Sequence, residues 1–142
     1  MATVLAVVER HASRRVTPRP AAGGSTPTGG DALGGGSPAG RSAATRVHDL
    51  LHDRFADDLG ADDLAREVGL SRFQVCRQFR EVYGVPPSDY LRQVRLREAR
   101  RRLAVGEPIG TVALATGFAD QSHLTRWFRR TYGITPGVYQ RG

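Results

Sequence analysis

The sequence has no lysine; all 21 of its basic residues are arginine. Arginine's planar fork suits bidentate recognition of phosphate and guanine better than a lysine ammonium does. A coding bias would give the same count. Cysteine is nearly absent too. With Cys76 alone, an internal disulfide and a cysteine-based zinc site are excluded, and the usage fits a reducing cytoplasm. No apolar run approaches the roughly 18 residues that a membrane span needs. The opening MATVLAVVERHASRR has no basic residue before its short apolar-leaning stretch, which makes it a poor secretory signal. The acid-poor, Arg-containing start bears a faint likeness to an organelle transit peptide.

What is present is positive charge and repetition. A chain of 142 residues has room for one ordinary domain or two very small ones. Its net charge is +7 and its pI about 10.9. A small domain this basic implies an acidic partner, most simply nucleic acid. A solvated basic surface is the plain alternative.

Arg77–Tyr90 reads RQFREVYGVPPSDY, and Arg126–Tyr139 reads RWFRRTYGITPGVY. Phe79 pairs with Phe128, Tyr83 with Tyr132, Gly84 with Gly133 and Pro87 with Pro136, each pair 49 residues apart. Upstream, Gly69 and Gly117 stand 48 apart, so the second copy holds one extra residue near Ala119. A repeat fixes the building unit. Here it is helix, tight turn at glycine, helix.

Residues 2–12 have the spacing of one short helix. Thr17–Ala44 is rich in Gly, Pro, Ser, Thr and Ala, and such a segment buries too little surface to offset its ordering entropy. Residues 1–44 therefore read as a flexible amino-terminal segment, and 45–142 as the folded domain. Apolar spacing then predicts helices at about 43–57, 61–68, 72–83, 87–105, 109–116 and 121–132, with a last turn from Pro136 to about Arg141. Ser71, Asp120 and Thr135 are placed to cap helix starts. Pro86 stands where a capping hydroxyl would help, so the helix after it should start more weakly. Leu91, Val94, Ala99 and Leu103 mark one apolar stripe on the long fourth helix. The fold class is all-α: about seven helices, with a first helix-turn-helix unit at 60–84, a connecting helix at 87–105 and a second unit at 109–133.

The second helix of each unit has the right width for a DNA major groove. Val75 and Phe79, or Leu124 and Phe128, point inward. The opposite face then presents Arg72, Phe73, Gln74 and Arg77 in the first copy, and Gln121, Ser122, Thr125 and Arg126 in the second. Gln reads adenine and Arg reads guanine with paired hydrogen bonds. Caps and flanking arginines suit phosphates. Ser71, Arg72 and Arg80 fill that role in the first unit, and His123, Arg129 and Arg130 in the second. Two such units joined by one stiff helix would fit segments about 34 Å apart on one duplex.

The run LAREVGLSRFQVCRQFREVYGVPPSDYLRQVRLREARRRL, followed by VALATGFADQSHLTRWFRRTYGITPGVYQ, resembles the DNA-binding domain of the AraC/XylS family of transcription regulators. The likeness covers about residues 45–141. It implies a double-stranded DNA partner, no enzymatic activity, no cofactor and no metal. It places Phe73, Cys76 and Arg77 in base-facing positions of the first recognition helix, and Gln121, Ser122, Thr125 and Arg126 in those of the second. It further implies a cytoplasmic, nucleoid-associated regulator that activates through RNA polymerase, although repression by occlusion is compatible with the same residues. Such proteins usually carry a sensor or dimerisation domain on the amino-terminal side. Whether this is a stand-alone regulator or one lacking that domain is left open, as is the oligomeric state.

Rival readings attach to particular side chains. His48 and His52 have metal-binding spacing but no third ligand in view. Trp127 and Tyr132 could stack on bases; packing against neighbouring helices is the expectation for both. Cys76 has no histidine placed to activate it, which argues against a nucleophile, and a lone cysteine cannot form the metal-bound cluster that an alkyl acceptor in DNA repair needs. The arginines of the connecting helix read as a solvated face touching few phosphates. The main functional rival is an architectural or adaptor protein that binds DNA without selectivity.

Overall fold

The computed structural model describes residues 38–142, so the proposed short helix at 2–12 and most of the Gly/Pro-rich segment lie outside the described residues. The described residues form seven helices and no strand: α1 Pro38–Asp53, α2 Ala61–Val68, α3 Arg72–Tyr83, α4 Pro87–Ala104, α5 Ile109–Ala115, α6 Gln121–Tyr132 and α7 Pro136–Arg141.

Local signals account for most of these boundaries. The Ser71 hydroxyl accepts from the Gln74 amide at 3.1 Å, and Asp120 Oδ1 accepts from the His123 amide at 2.8 Å. Thr135 Oγ1 does the same for Val138 at 3.2 Å. Each satisfies one of the amides that a helix start leaves unpaired. The helix after Pro86 has no side-chain cap. Gly84 and Gly133 close α3 and α6 at φ 82° and 81°, the left-handed conformation that glycine takes without strain.

At α1 the boundaries shift in both directions. The helix begins at Pro38 rather than near 43, inside the stretch read as linker. Gly40 is buried against the Gln78 side chain of α3, so tertiary packing supports a turn that composition disfavours. The helix ends at Asp53 rather than 57. The Arg95 guanidinium takes the carbonyls just beyond it, with Nε donating to Phe55 O at 2.6 Å and Nη2 to Asp57 O at 2.8 Å.

Two hydrophobic cores result. The first gathers Val47 and Leu51 of α1, Leu64 and Ala65 of α2, and Val75, Phe79 and Tyr83 of α3. The second gathers Val112 and Ala113 of α5, Phe118, and Leu124 and Phe128 of α6. Helix α4 serves both. Its Tyr90, Leu91 and Val94 enter the first core, and its Leu96, Ala99 and Leu103 the second. At about 100° per residue, these two sets fall on nearly opposite faces. The single stripe expected for α4 is therefore two half-length stripes, and Tyr90 and Leu96 belong to them. The two helix-turn-helix units accordingly sit on different faces of one rod.

Candidate nucleic-acid interface

Three aromatic or aliphatic anchors, Val75, Phe79 and Tyr83, hold α3 down. Its other face is open. Phe73 is 72% exposed, which places the ring outside the core and argues against subdomain packing. Arg77 lies beside it, with Cζ 5.6 Å from the ring centroid. Cys76, Arg77 and Arg80 are exposed. Arg72 Nε lies 3.4 Å from Asp62 Oδ1, with both side chains exposed. So exposed a pair is worth little and is readily exchanged for a phosphate. Gln74 departs from expectation. Its Oε1 accepts from the Ser71 amide at 3.0 Å, completing a reciprocal cap. The amide expected to reach a base is thus partly committed to starting the helix.

Leu124 and Phe128 anchor α6 in the same way. One open groove gathers Gln121, Ser122, Thr125 and Arg126 with Arg129 and Arg130. Every residue assigned to the second unit's interface is brought together there except His123. Thr135, read from sequence only as a cap, also lines the groove. Arg126 and Arg129 form no ion pair among the described residues, so their charge is free for an anion.

His123 does not fit the phosphate role given to it. Its Nε2 accepts the indole N–H of Trp127 at 3.2 Å, and its ring meets Phe118 edge-on at 5.6 Å. Its Nδ1 is buried and unbonded. The side chain starts on the exposed end of α6 but folds back into the unit. Trp127 is packed as expected, with the Arg92 guanidinium 3.7 Å above its ring and Arg130 at 5.3 Å. The Arg92 contact ties α6 to α4.

Arg92, Arg95, Arg100, Arg101 and Arg102 of α4 are occupied within the chain. Arg101 and Arg102 both donate to Glu98, at 2.6 to 2.9 Å, and Arg102 also reaches Glu107 at 3.3 Å. The Arg101 hydrogen bonds are the largest cause that holds the Glu98 carboxyl below its ordinary range. Arg92 bonds Asp89 at 3.2 Å. This helix is a braced rod, while Arg77 and Arg80 of α3 and Arg126 and Arg129 of α6 form no ion pair among the described residues. His48 and His52 are drawn into the first core's aromatic cluster. His52 Nε2 lies 2.8 Å from the Tyr90 hydroxyl, and the His48 ring stacks on Tyr83 at 4.9 Å. No group of three or more metal-ligating side chains occurs among the described residues. Nor is any helix there long and apolar enough to cross a membrane.

Residues 64–142 match a family model described as a helix-turn-helix domain. A transcriptional regulator from Chromobacterium violaceum, whose structure is described as AraC-type, is 30% identical. It superposes with a TM-score of 0.65 over 74% of this chain and 95% of its own. The chain belongs to the AraC-type helix-turn-helix family.

Among curated AraC-type relatives, the HTH-type transcriptional activator RhaS of Escherichia coli is 34% identical over 105 residues. That alignment takes in 71% of this chain but only 38% of RhaS, so the chain spans about two fifths of that relative's length. The DNA-binding domain of AdpA, a structure solved in complex with a target DNA, is 26% identical. Its TM-score is 0.66, over 70% of this chain and 90% of that one. These neighbours share the all-helical fold described above.

Proposed function

We propose that this chain is a sequence-specific, double-stranded DNA-binding transcription regulator that places α3 and α6 in successive major-groove segments. The observation that carries the reading is the α6 groove. It sets Gln121, Ser122, Thr125 and Arg126 side by side, flanked by Arg129 and Arg130, on one of two copies of the same unit. Gln121 and Arg126 read bases. Ser122 and Thr125 supply shorter contacts. On α3, Arg77 reads a base while Phe73 and Cys76 offer apolar contact, with Phe73 suited to a thymine methyl. Ser71, Arg72, Arg80, Arg129 and Arg130 hold phosphates. Gln74 contributes through its amide N–H groups, its oxygen being engaged by the cap.

The work needs no covalent step, which accords with relatives that are regulators rather than enzymes. The name of RhaS as an activator supports contact with RNA polymerase, in the cytoplasm and on the nucleoid. Selection from a random duplex pool tests the reading. Enrichment of one motif, bound well above scrambled DNA at physiological salt, supports it. Equal binding of all sequences supports instead an architectural protein without selectivity.

A further inference from the structure

Gly69 and Gly117 occupy equivalent places in the two units. Each sits after the first helix of its pair with positive φ, 69° and 88°. Their surroundings differ. A Cβ at Gly69 would meet nothing within 4 Å. A Cβ at Gly117 would lie 2.8 Å from Arg95 Nε and 2.9 Å from Phe55 O. Those two atoms are bonded to each other at 2.6 Å. Gly117 thus lets the turn of the second unit rest directly on a hydrogen bond that belongs to the first.

The position of that bond along the rod matters. Arg95 lies between Val94, the last α4 residue of the first core, and Leu96, the first of the second. Phe55 packs against the first core. The Arg95 guanidinium, half-buried, bridges two carbonyls of the loop after α1 while its Nε side faces Gly117. The contact sits where α4 passes from one unit to the other, and any twist of one unit about the rod would break it.

We propose that the Phe55–Arg95–Gly117 junction is a clamp that fixes the separation and rotation of the two recognition helices, and so sets the spacing of DNA segments the chain accepts. The inference rests on the DNA-binding reading above. Arg95 and Gly117 touch no DNA in it; they are positioning residues. Beside the stacking of Arg92 on Trp127, this junction brings the second unit's turn against the loop that follows α1.

The repeat supplies its own control. Gly69→Ala and Gly117→Ala carry the same left-handed strain, but only the second wedges a methyl into the junction. Arg95→Met keeps the aliphatic stem and removes both donors. The probes are the duplex enriched from a random pool, a scrambled duplex, and the enriched duplex with two base pairs inserted between its two contacted segments. Full-length chains are titrated against all three, with helix content checked by circular dichroism.

Two added base pairs move one segment by about 7 Å and turn it by about 70°. Wild type and Gly69→Ala should each lose on the order of a hundredfold in affinity, as when one helix's base contacts are forfeited. Gly117→Ala and Arg95→Met should lose less than about tenfold on insertion, having given up the preference for one spacing. If Gly117→Ala does not fold, Arg95→Met decides alone. A folded Arg95→Met with the wild-type insertion penalty would overturn the clamp. So would a wild type that tolerates the insertion while still rejecting scrambled DNA, and that outcome would leave the DNA reading standing. A wild type that binds scrambled and enriched duplexes alike would remove the DNA reading and the clamp together.

Discussion

The indole N–H of Trp127 donates to Nε2 of His123 at 3.2 Å, one turn apart on α6. The bond turns His123 away from solvent. It shows that α6 is braced along one flank by its own side chains, while Gln121, Ser122 and Arg126 stay exposed. Replacement of His123 by alanine should therefore lower stability by about 1–2 kcal/mol, read by urea denaturation. The slope of log affinity against log salt should stay unchanged, because no phosphate contact is lost. A shallower slope would restore His123 to the interface.

Arg126 and Gln121 are assigned to base edges. Alanine at either position should cost about 1–3 kcal/mol on the enriched duplex and little on scrambled DNA. Competitive gel shifts with both duplexes give the comparison. Equal losses on the two would make these residues backbone contacts.

Arg80 and Arg129 are assigned to phosphates. Their alanine variants should weaken enriched and scrambled duplexes alike and reduce the salt slope by about one each. Titrations at four salt concentrations measure this. An unchanged slope would take the phosphate role from either arginine.

Buried tyrosines give the first unit an alkaline limit. Burial is the main cause that raises the Tyr90 and Tyr83 hydroxyls above the ordinary tyrosine range. A raised folded-state value favours the neutral form in the fold. Unfolded tyrosine ionises near about pH 10. The stabilisation is thus complete below that pH and is lost as pH rises above it. Urea midpoints measured from pH 8 to pH 11 should fall across the upper part of the range. Tyr90→Phe, which also gives up the 2.8 Å contact with His52, should start lower but fall less steeply.

Much of the fold was legible because the repeat made each unit a check on the other. Ser71 and Asp120, read as caps, receive their helix amides. The extra residue near Ala119 lengthens the second turn, so that α6 starts at Gln121 where strict repetition from Arg72 would not put it. What escaped were features set by contacts distant in sequence. The early start of α1 depends on Gln78. Its early end depends on Arg95, 40 residues on from Phe55. The two faces of α4 blur a single-stripe reading because each half answers to a different core. In the candidate interface, side-chain rotamers made the difference. His123 stands at a position whose backbone faces outward, and only Trp127 and Phe118 explain why its ring does not. The helix face alone points Gln74 at DNA, whereas the local reach of its Oε1 back to the Ser71 amide is shorter.

Hydroxyl-radical footprinting of the full chain on its enriched duplex tests the central claim most directly. Two recognition helices of unlike sequence on one chain predict two protected segments about one helical turn apart, within a site that has no palindrome. A single protected segment bound by one chain, or uniform protection along the duplex, would contradict it.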